Sequence, residues 1–166
     1  AIIAGIWWAL GKVSAGTVTL SELGASAGLN LSLDRFALSV AGELHVSPKS
    51  TVQLKPEWTG PFPTPQPFTV IDRAGVDLTP LDPTDPADAL RLRAYIWPDQ
   101  PDRMARTQAA IALSDTQVEA GDAAPWLASR LATPWDGLHV VYTTIAAQYF
   151  PDETRASLAQ SLGAAG

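Results

Sequence analysis

The part of the sequence with the clearest chemical pattern is residues 20–28, which read Leu-Ser-Glu-Leu-Gly-Ala-Ser-Ala-Gly. Glu22 lies near the end of a β-branched and apolar run, residues 17–23, which predicts a buried strand. The small residues that follow predict a tight turn into a helix. Such a turn lets the backbone approach a ligand, and the free amides at the start of the helix can bind its polar groups. The pattern favours a nucleotide-like ligand, and a turn that needs small residues only for packing is the alternative.

The same residues resemble the first motif of class I S-adenosylmethionine (SAM)-dependent methyltransferases, in which alternating glycines follow an acid. Glu22, Gly24 and Gly28 fall in the matching places, and Ser26 stands where the middle glycine is usual. The resemblance implies that SAM is the cofactor and that these four residues line its site. It also implies that Glu22 helps to hold the amino end of SAM.

Two later acids match the order of the next motifs in those methyltransferases. Glu57 follows a predicted strand at residues 51–54 and is the candidate for the acid that binds the ribose hydroxyls. Its alternative is a solvated loop acid. Asp122, with Ala123 after it, resembles the acid at the end of the third strand that binds the adenine amino group. Asp122 also suits the N-cap of a helix, which is a sufficient structural reason for an aspartate there.

The resemblance also places two threonines at the reacting group. Residues 137–142 predict a fourth strand, and Thr143 and Thr144 follow it directly. Methyltransferases usually have residues that face the transferred methyl group at this point. The resemblance therefore makes these two threonines the catalytic candidates.

A second polar cluster combines Trp97, Asp99 and Gln100 with Arg103. A tryptophan beside polar side chains can stack on a flat ligand and hydrogen-bond to it, and an arginine can bind an anionic group. These four residues are the substrate-binding candidates. The alternative is a helix start, with Trp97 packed against the helix and Asp99 as its cap.

Two other functions remain open from the same sequence. Residues 24–28 also fit the Gly-x-Ser-x-Gly turn of α/β-hydrolases, with Ser26 as the nucleophile and His139 as the base. Only 23 residues precede the motif and His139 falls inside a predicted strand, so the hydrolase hypothesis ranks behind SAM binding. A non-catalytic protein that keeps the SAM fold for ligand or partner binding is the third hypothesis.

The amino-acid composition limits the classes of partner that the protein is expected to bind. The net charge is −6 without a block of like charge, so we expect no nucleic-acid partner. Cysteine is absent and there are two histidines, which excludes a cysteine nucleophile and disfavours a metal site. The apolar residues 1–10 are half of the roughly 20 needed to span a bilayer. We expect a cytoplasmic protein with a small-molecule ligand and no membrane contact, and the oligomeric state is open.

Strands that alternate with helices predict an α/β fold with a three-layer, Rossmann-like, mainly parallel sheet of the SAM methyltransferase type. The predicted strands are 17–23, 51–54, 117–119 and 138–142, and residues 36–46 are predicted to be extended with a break at Gly42. The main helices are 1–10, 103–113, 122–131 and 152–162. Ten of the 14 prolines fall within residues 56–101, which predicts a loop-rich insertion in a single domain of residues 1–166. We expect this domain to be incomplete at its C-terminus, because the fold has further strands.

Over nearly its whole length the chain also resembles a bacterial family catalogued as domain of unknown function 2332. Three strings carry the resemblance: residues 22–30, residues 73–77 (Arg-Ala-Gly-Val-Asp) and residues 92–100 (Leu-Arg-Ala-Tyr-Ile-Trp-Pro-Asp-Gln), with Arg103 after them. The resemblance implies a methyltransferase-like fold within a longer protein, and it implies no particular activity.

Overall fold

A computed structural model describes residues 2–40, 42–47 and 49–165 of the chain. Residue 1, which the prediction placed in the first helix, lies outside the described residues. The helices are α1 (Ile2–Leu10), α2 (Pro86–Ala94), α3 (Pro101–Leu113), α4 (Ala123–Ala132) and α5 (Asp152–Ala165), with 3-10 helices at Leu29–Arg35 and Ala146–Tyr149. The strands are β1 (Thr17–Leu23), β2 (Ala37–Val40), β3 (Glu43–Val46), β4 (Gln53–Leu54), β5 (Thr69–Asp77), β6 (Val118–Ala120) and β7 (Leu138–Tyr142).

Four of these strands form a parallel central sheet in the order β6-β5-β1-β7. Strand β1 lies between β5 and β7, and its residues 18–23 are all buried. This burial on both faces explains why the strand has a nearly continuous apolar and small-residue sequence. The prediction of a mixed α/β fold with a mainly parallel sheet is confirmed.

Helices flank both faces of this sheet. On one face, Val18 and Leu20 of β1 pack in a core with α1 and the 3-10 helix Leu29–Arg35. On the other face, Leu23 packs with residues of α4 and α5, among them Leu127. Because side chains alternate along a strand, even-numbered residues of β1 face α1 and odd-numbered residues face α4.

The second strand of the central sheet lies where the sequence predicted a loop. Residues 51–54 do not supply it, because Gln53–Leu54 pairs with β2 in a separate three-stranded sheet. Thr69–Asp77, inside the proline-rich interval, pairs with β1 along its length. The loop was predicted from the prolines of residues 56–101, but residues 69–77 contain none, and the two charged residues in the middle of this strand are paired. Arg73 is neutralised by Asp34, 2.7 Å away, and Asp72 by Arg130, and these partners are distant in sequence.

In the described part of the chain, no helix is both long and apolar enough to cross a membrane. Within the same residues, no group of three or more His, Cys, Asp or Glu side chains is arranged to hold a metal ion.

Candidate functional site

A cavity of about 410 Å³ opens at the carboxyl ends of β1 and β7, and Glu22 lines it. We call it the Glu22 cavity. Glu22 is 1% exposed, and it is the last residue of β1 whose side chain faces α1. The rest of the lining comes from residues 24–27, Leu29, Asn30, Leu92, residues 144–146 and Tyr149. Glu22 is therefore a buried acid in a cavity whose other lining residues are mostly small or apolar.

The Glu22 carboxyl is only partly satisfied by the protein. Asn30 Nδ2 donates to Glu22 Oε1 at 2.9 Å. Neither Glu22 Oε2 nor the buried Tyr142 hydroxyl has a partner of normal hydrogen-bond geometry among the described residues. Burial raises the pKa of Glu22 to about 7, and the Asn30 hydrogen bond and the nearby Tyr142 hydroxyl offset part of that effect. The cavity thus holds an acid that is half ionised near neutral pH.

The small-residue loop after Glu22 does not leave its first amides free. Gly24 N and Ala25 N donate to Val76 O at 2.9 and 3.0 Å, and Ser26 N donates to Asp77 Oδ2 at 2.8 Å. These three amides are therefore bonded within the protein. They are occupied because the loop crosses the end of β5, a strand that the sequence had not revealed.

Backbone conformation and packing also explain both glycines of the motif. Gly24 and Gly28 have φ values of +68° and +67°, in the left-handed region that favours glycine. A Cβ atom on Gly24 would lie 2.1 Å from Ala146 Cβ, and one on Gly28 would lie 2.8 Å from Val118 Cγ2. The alternative, a turn that needs small residues for packing, is sufficient at these two positions.

The acid at the end of the strand beside β1 is Asp77, which the sequence analysis named only as the last residue of the string 73–77. Its carboxylate accepts from Ser26 N at 2.8 Å and from Thr79 N at 2.9 Å. Glu57 is exposed, follows a strand of the other sheet and does not line the Glu22 cavity. The premise that Glu57 follows the second parallel strand is therefore wrong.

The structure places Asp122 at the N-cap of α4. Its side chain accepts from Ala124 N at 2.8 Å, so the capping alternative is confirmed. Neither Asp122 nor Ala123 lines the Glu22 cavity. A role in binding adenine needs a ligand that extends beyond this cavity towards β6.

The two catalytic candidates lie in different surroundings. Thr144 lines the Glu22 cavity. Thr143 does not, and its hydroxyl is buried without a hydrogen-bond partner among the described residues. Only Thr144 is therefore placed to contact a ligand bound beside Glu22.

The substrate-binding candidates form a separate surface feature. Asp99, Gln100 and Arg103 line an open cavity at the start of α3, where Arg103 Nη1 donates to Gln100 Oε1 at 3.2 Å. Trp97 is 73% exposed, and none of the four lines the Glu22 cavity. The structure does not bring these residues to Glu22. The alternative of Asp99 as helix cap is also wrong, because the N-cap residue is Gln100 and it makes no side-chain capping bond.

The pair that the hydrolase hypothesis needs is not formed. Ser26 has a positive φ of 54°, but the described residues include no hydrogen bond between it and His139. His139 Nε2 lies 2.8 Å from Ser21 Oγ, and its ring packs edge-on against Trp135. Burial and the positive charge of Arg130 lower the pKa of His139. His139 therefore belongs to a buried network on the face of the sheet that packs against α4.

Comparison with known proteins gives one match. No curated protein and no solved structure matches the chain. The model of a bacterial family described as "Uncharacterized protein conserved in bacteria (DUF2332)" matches residues 1–166. Because the match spans all 166 residues, the chain belongs to the DUF2332 family.

Proposed function

We propose that the Glu22 cavity binds S-adenosylmethionine and that the domain is a methyltransferase with an acceptor still to be identified. One observation carries the proposal: a buried carboxyl group, which accepts one side-chain hydrogen bond of normal geometry from the described residues, lines a cavity at the end of the central strand. Burial of this acid destabilises its charged form, and the surrounding residues only partly compensate. Acids held in this way are typical of functional sites.

The position of the cavity in the sheet supports the proposal. Ligands of open parallel sheets bind at the carboxyl ends of the strands, where the strand order reverses. Here the chain runs from β1 outward through β5 and β6, and then returns to β7 on the other side of β1. The reversal lies between β1 and β7, where Glu22 pairs directly with Tyr142. In chain order the strands of this sheet are third, second, first and fourth, which is the order of the first four strands in dinucleotide-binding folds.

The chemistry of the cavity residues suits SAM. The amino-acid end of SAM carries an ammonium group, and an ionised Glu22, which is buried beside the cavity, supplies the matching negative charge. SAM itself supplies an electrophilic methyl group on a positively charged sulfur. The protein then has to hold a nucleophile in line with that methyl group and exclude water. Thr144 and Ile145 are the wall residues on the β7 side, where an acceptor would approach. The cavity volume of about 410 Å³ falls within the roughly 300–1,000 Å³ of small-molecule sites.

Calorimetric titration with SAM and with S-adenosylhomocysteine tests this proposal. We expect saturable binding that is about tenfold weaker or worse in Glu22→Gln, because a charge-assisted hydrogen bond is lost. Glu119→Gln, at an exposed position on β6, is the matched control and should bind like the wild type. Gly28→Val is not a useful variant, because its side chain would collide with Val118.

Other results of the titration would change the assignment. A folded wild-type protein that binds neither compound contradicts the proposal. Saturable SAM binding without methyl transfer to any acceptor of a chemically broad panel would favour the non-catalytic, ligand-binding alternative.

A further inference from the structure

Tyr142 lies beside Glu22 and is not part of any motif in the sequence. Tyr142 is the last residue of β7, and Glu22 and Tyr142 are direct partners in the register of β1 and β7. Paired residues on neighbouring parallel strands place their side chains on the same face of the sheet. The Tyr142 ring packs against the core below the cavity, and its hydroxyl is buried.

Two buried oxygens in this place lack hydrogen-bond partners among the described residues: the Tyr142 hydroxyl and Glu22 Oε2. Buried polar atoms in folded proteins almost always find a partner, so the nearest complementary group is the first candidate for each. An ionised carboxylate only accepts hydrogen bonds, whereas a tyrosine hydroxyl can donate one. The two atoms complement each other when Glu22 is charged.

The charged groups nearest to this pair do not supply another partner. Arg73 on β5 and Asp34 at the end of the 3-10 helix are bound to each other, with Nη1 and Oδ1 2.7 Å apart. Arg73 Nη1 also donates to Leu31 O. The Arg73 guanidinium is thus committed to Asp34 and the backbone, and Glu22 depends on Asn30 and Tyr142.

We propose that Tyr142 is a positioning residue of the Glu22 cavity, whose hydroxyl donates to Oε2 of the ionised Glu22 carboxylate. Asn30 holds the other oxygen, so the two side chains together fix the plane of the carboxylate towards the cavity. The importance of this arrangement for a ligand rests on the proposed function. The arrangement itself belongs to the protein without a ligand, so it can be tested separately.

A pH titration of the Glu22 side-chain carboxyl by NMR tests the inference directly. The protein is labelled with ¹³C at glutamate carboxyl groups, and the Glu22 signal is identified by its loss in Glu22→Gln. Tyr142→Phe keeps the ring that packs in the core and removes only the hydroxyl. Loss of a donor to the charged form should raise the titration midpoint of Glu22 by on the order of one pH unit.

Two further variants make the result decisive. Asn30→Ala removes the other donor and should also raise the midpoint of Glu22, which shows that the method detects the loss of one hydrogen bond. Tyr95→Phe, which removes an exposed hydroxyl bonded to Arg91, should leave the midpoint unchanged. A Tyr142→Phe midpoint equal to that of the wild type, with Asn30→Ala shifted, overturns the inference. Failure of the wild type to bind SAM would contradict the proposed function and leave the NMR result intact.

Discussion

Replacing Glu22 with glutamine should make the protein more stable at alkaline pH. The pKa of Glu22 is raised from its ordinary value of 4.5 to about 7, because burial penalises the charged form. The folded protein therefore binds the Glu22 proton more tightly than the unfolded chain does. It follows that this group's contribution to the free energy of unfolding is greatest below pH 4.5 and is lost as the pH rises to about 7.

The size of the effect follows from the two pKa values. One pH unit corresponds to 1.36 kcal/mol, so the change from 4.5 to about 7 amounts to about 3 kcal/mol. Glutamine keeps the shape of the side chain and has no charge to bury. Its amide oxygen can accept from Asn30, and its amide nitrogen can donate to the Tyr142 hydroxyl. Glu22→Gln should therefore be about 3 kcal/mol more stable than the wild type at pH 8 and equally stable at pH 4.

Urea unfolding followed by circular dichroism at pH 4, 6 and 8 measures this difference. Glu119→Gln makes the same substitution at an exposed position and should change the free energy of unfolding by less than about 0.5 kcal/mol at each pH. Equal or lower stability of Glu22→Gln at pH 8, or a difference that does not grow with pH, would refute the reasoning. It would show that the Glu22 carboxyl is not destabilised by its surroundings.

Two further predictions concern the loop after β1 and the opposite face of the sheet. Gly24→Ala should cost about 2–4 kcal/mol in urea unfolding, because a positive φ and the collision with Ala146 add. Gly60 also has a positive φ, but no atom lies within 4 Å of a Cβ added there, so Gly60→Ala should cost only about 1–2 kcal/mol. If the two substitutions cost the same, the new Cβ at residue 24 does not collide with Ala146. The lowered pKa of His139 means that its contribution to stability is lost as the pH falls below about 6.5. Between pH 7 and pH 5, urea unfolding should therefore show a larger decrease in the free energy of unfolding for the wild type than for His139→Gln. Equal decreases in the two proteins would contradict this prediction.

The sequence predicts those helices and strands whose formation depends on residues close together in the chain. The strands β1 and β7 are apolar and β-branched, and both were predicted close to their observed bounds. The α4 helix was predicted from the capping residue Asp122, which the structure places at its N-cap. Strand β5 was missed because the prolines around it predict a loop, and the charged residues Asp72 and Arg73 give it no apolar pattern to set against that prediction. Their partners, Arg130 and Asp34, lie 58 and 39 residues away, and no local pattern can reveal such pairs.

A sequence pattern shows only neighbouring residues, and this explains which residues of the candidate site it could predict. Glu22 became a candidate because an acid near the end of a predicted buried strand is a local feature, and Thr144 because the methyltransferase resemblance places reacting-group residues directly after the fourth strand. Tyr142 was missed because its significance depends on the register of β7 beside β1. The sequence did contain a sign of it: Tyr142 is a polar aromatic residue at the end of a predicted strand, two residues after Val140, and so on the same face as this partly buried residue. Asp77 was missed together with its strand.

Several residues of the cofactor-binding motif are therefore explained by the fold alone, and only the remaining ones support a bound cofactor. Gly24 and Gly28 are explained by their backbone conformation and by the atoms that pack against them. The amides of residues 24–26 are explained by their hydrogen bonds to the end of β5. Glu22 is different, because an apolar or amide side chain in its place would avoid the penalty of burying a charge. Glu22 lowers the stability of the fold, whereas an uncharged side chain of similar size would not. Of the residues in the motif, it is therefore the one whose presence needs a functional explanation. Experiments on the function of this protein should begin with Glu22 and the two side chains that hold it, because the glycines would be the same in a turn that binds nothing.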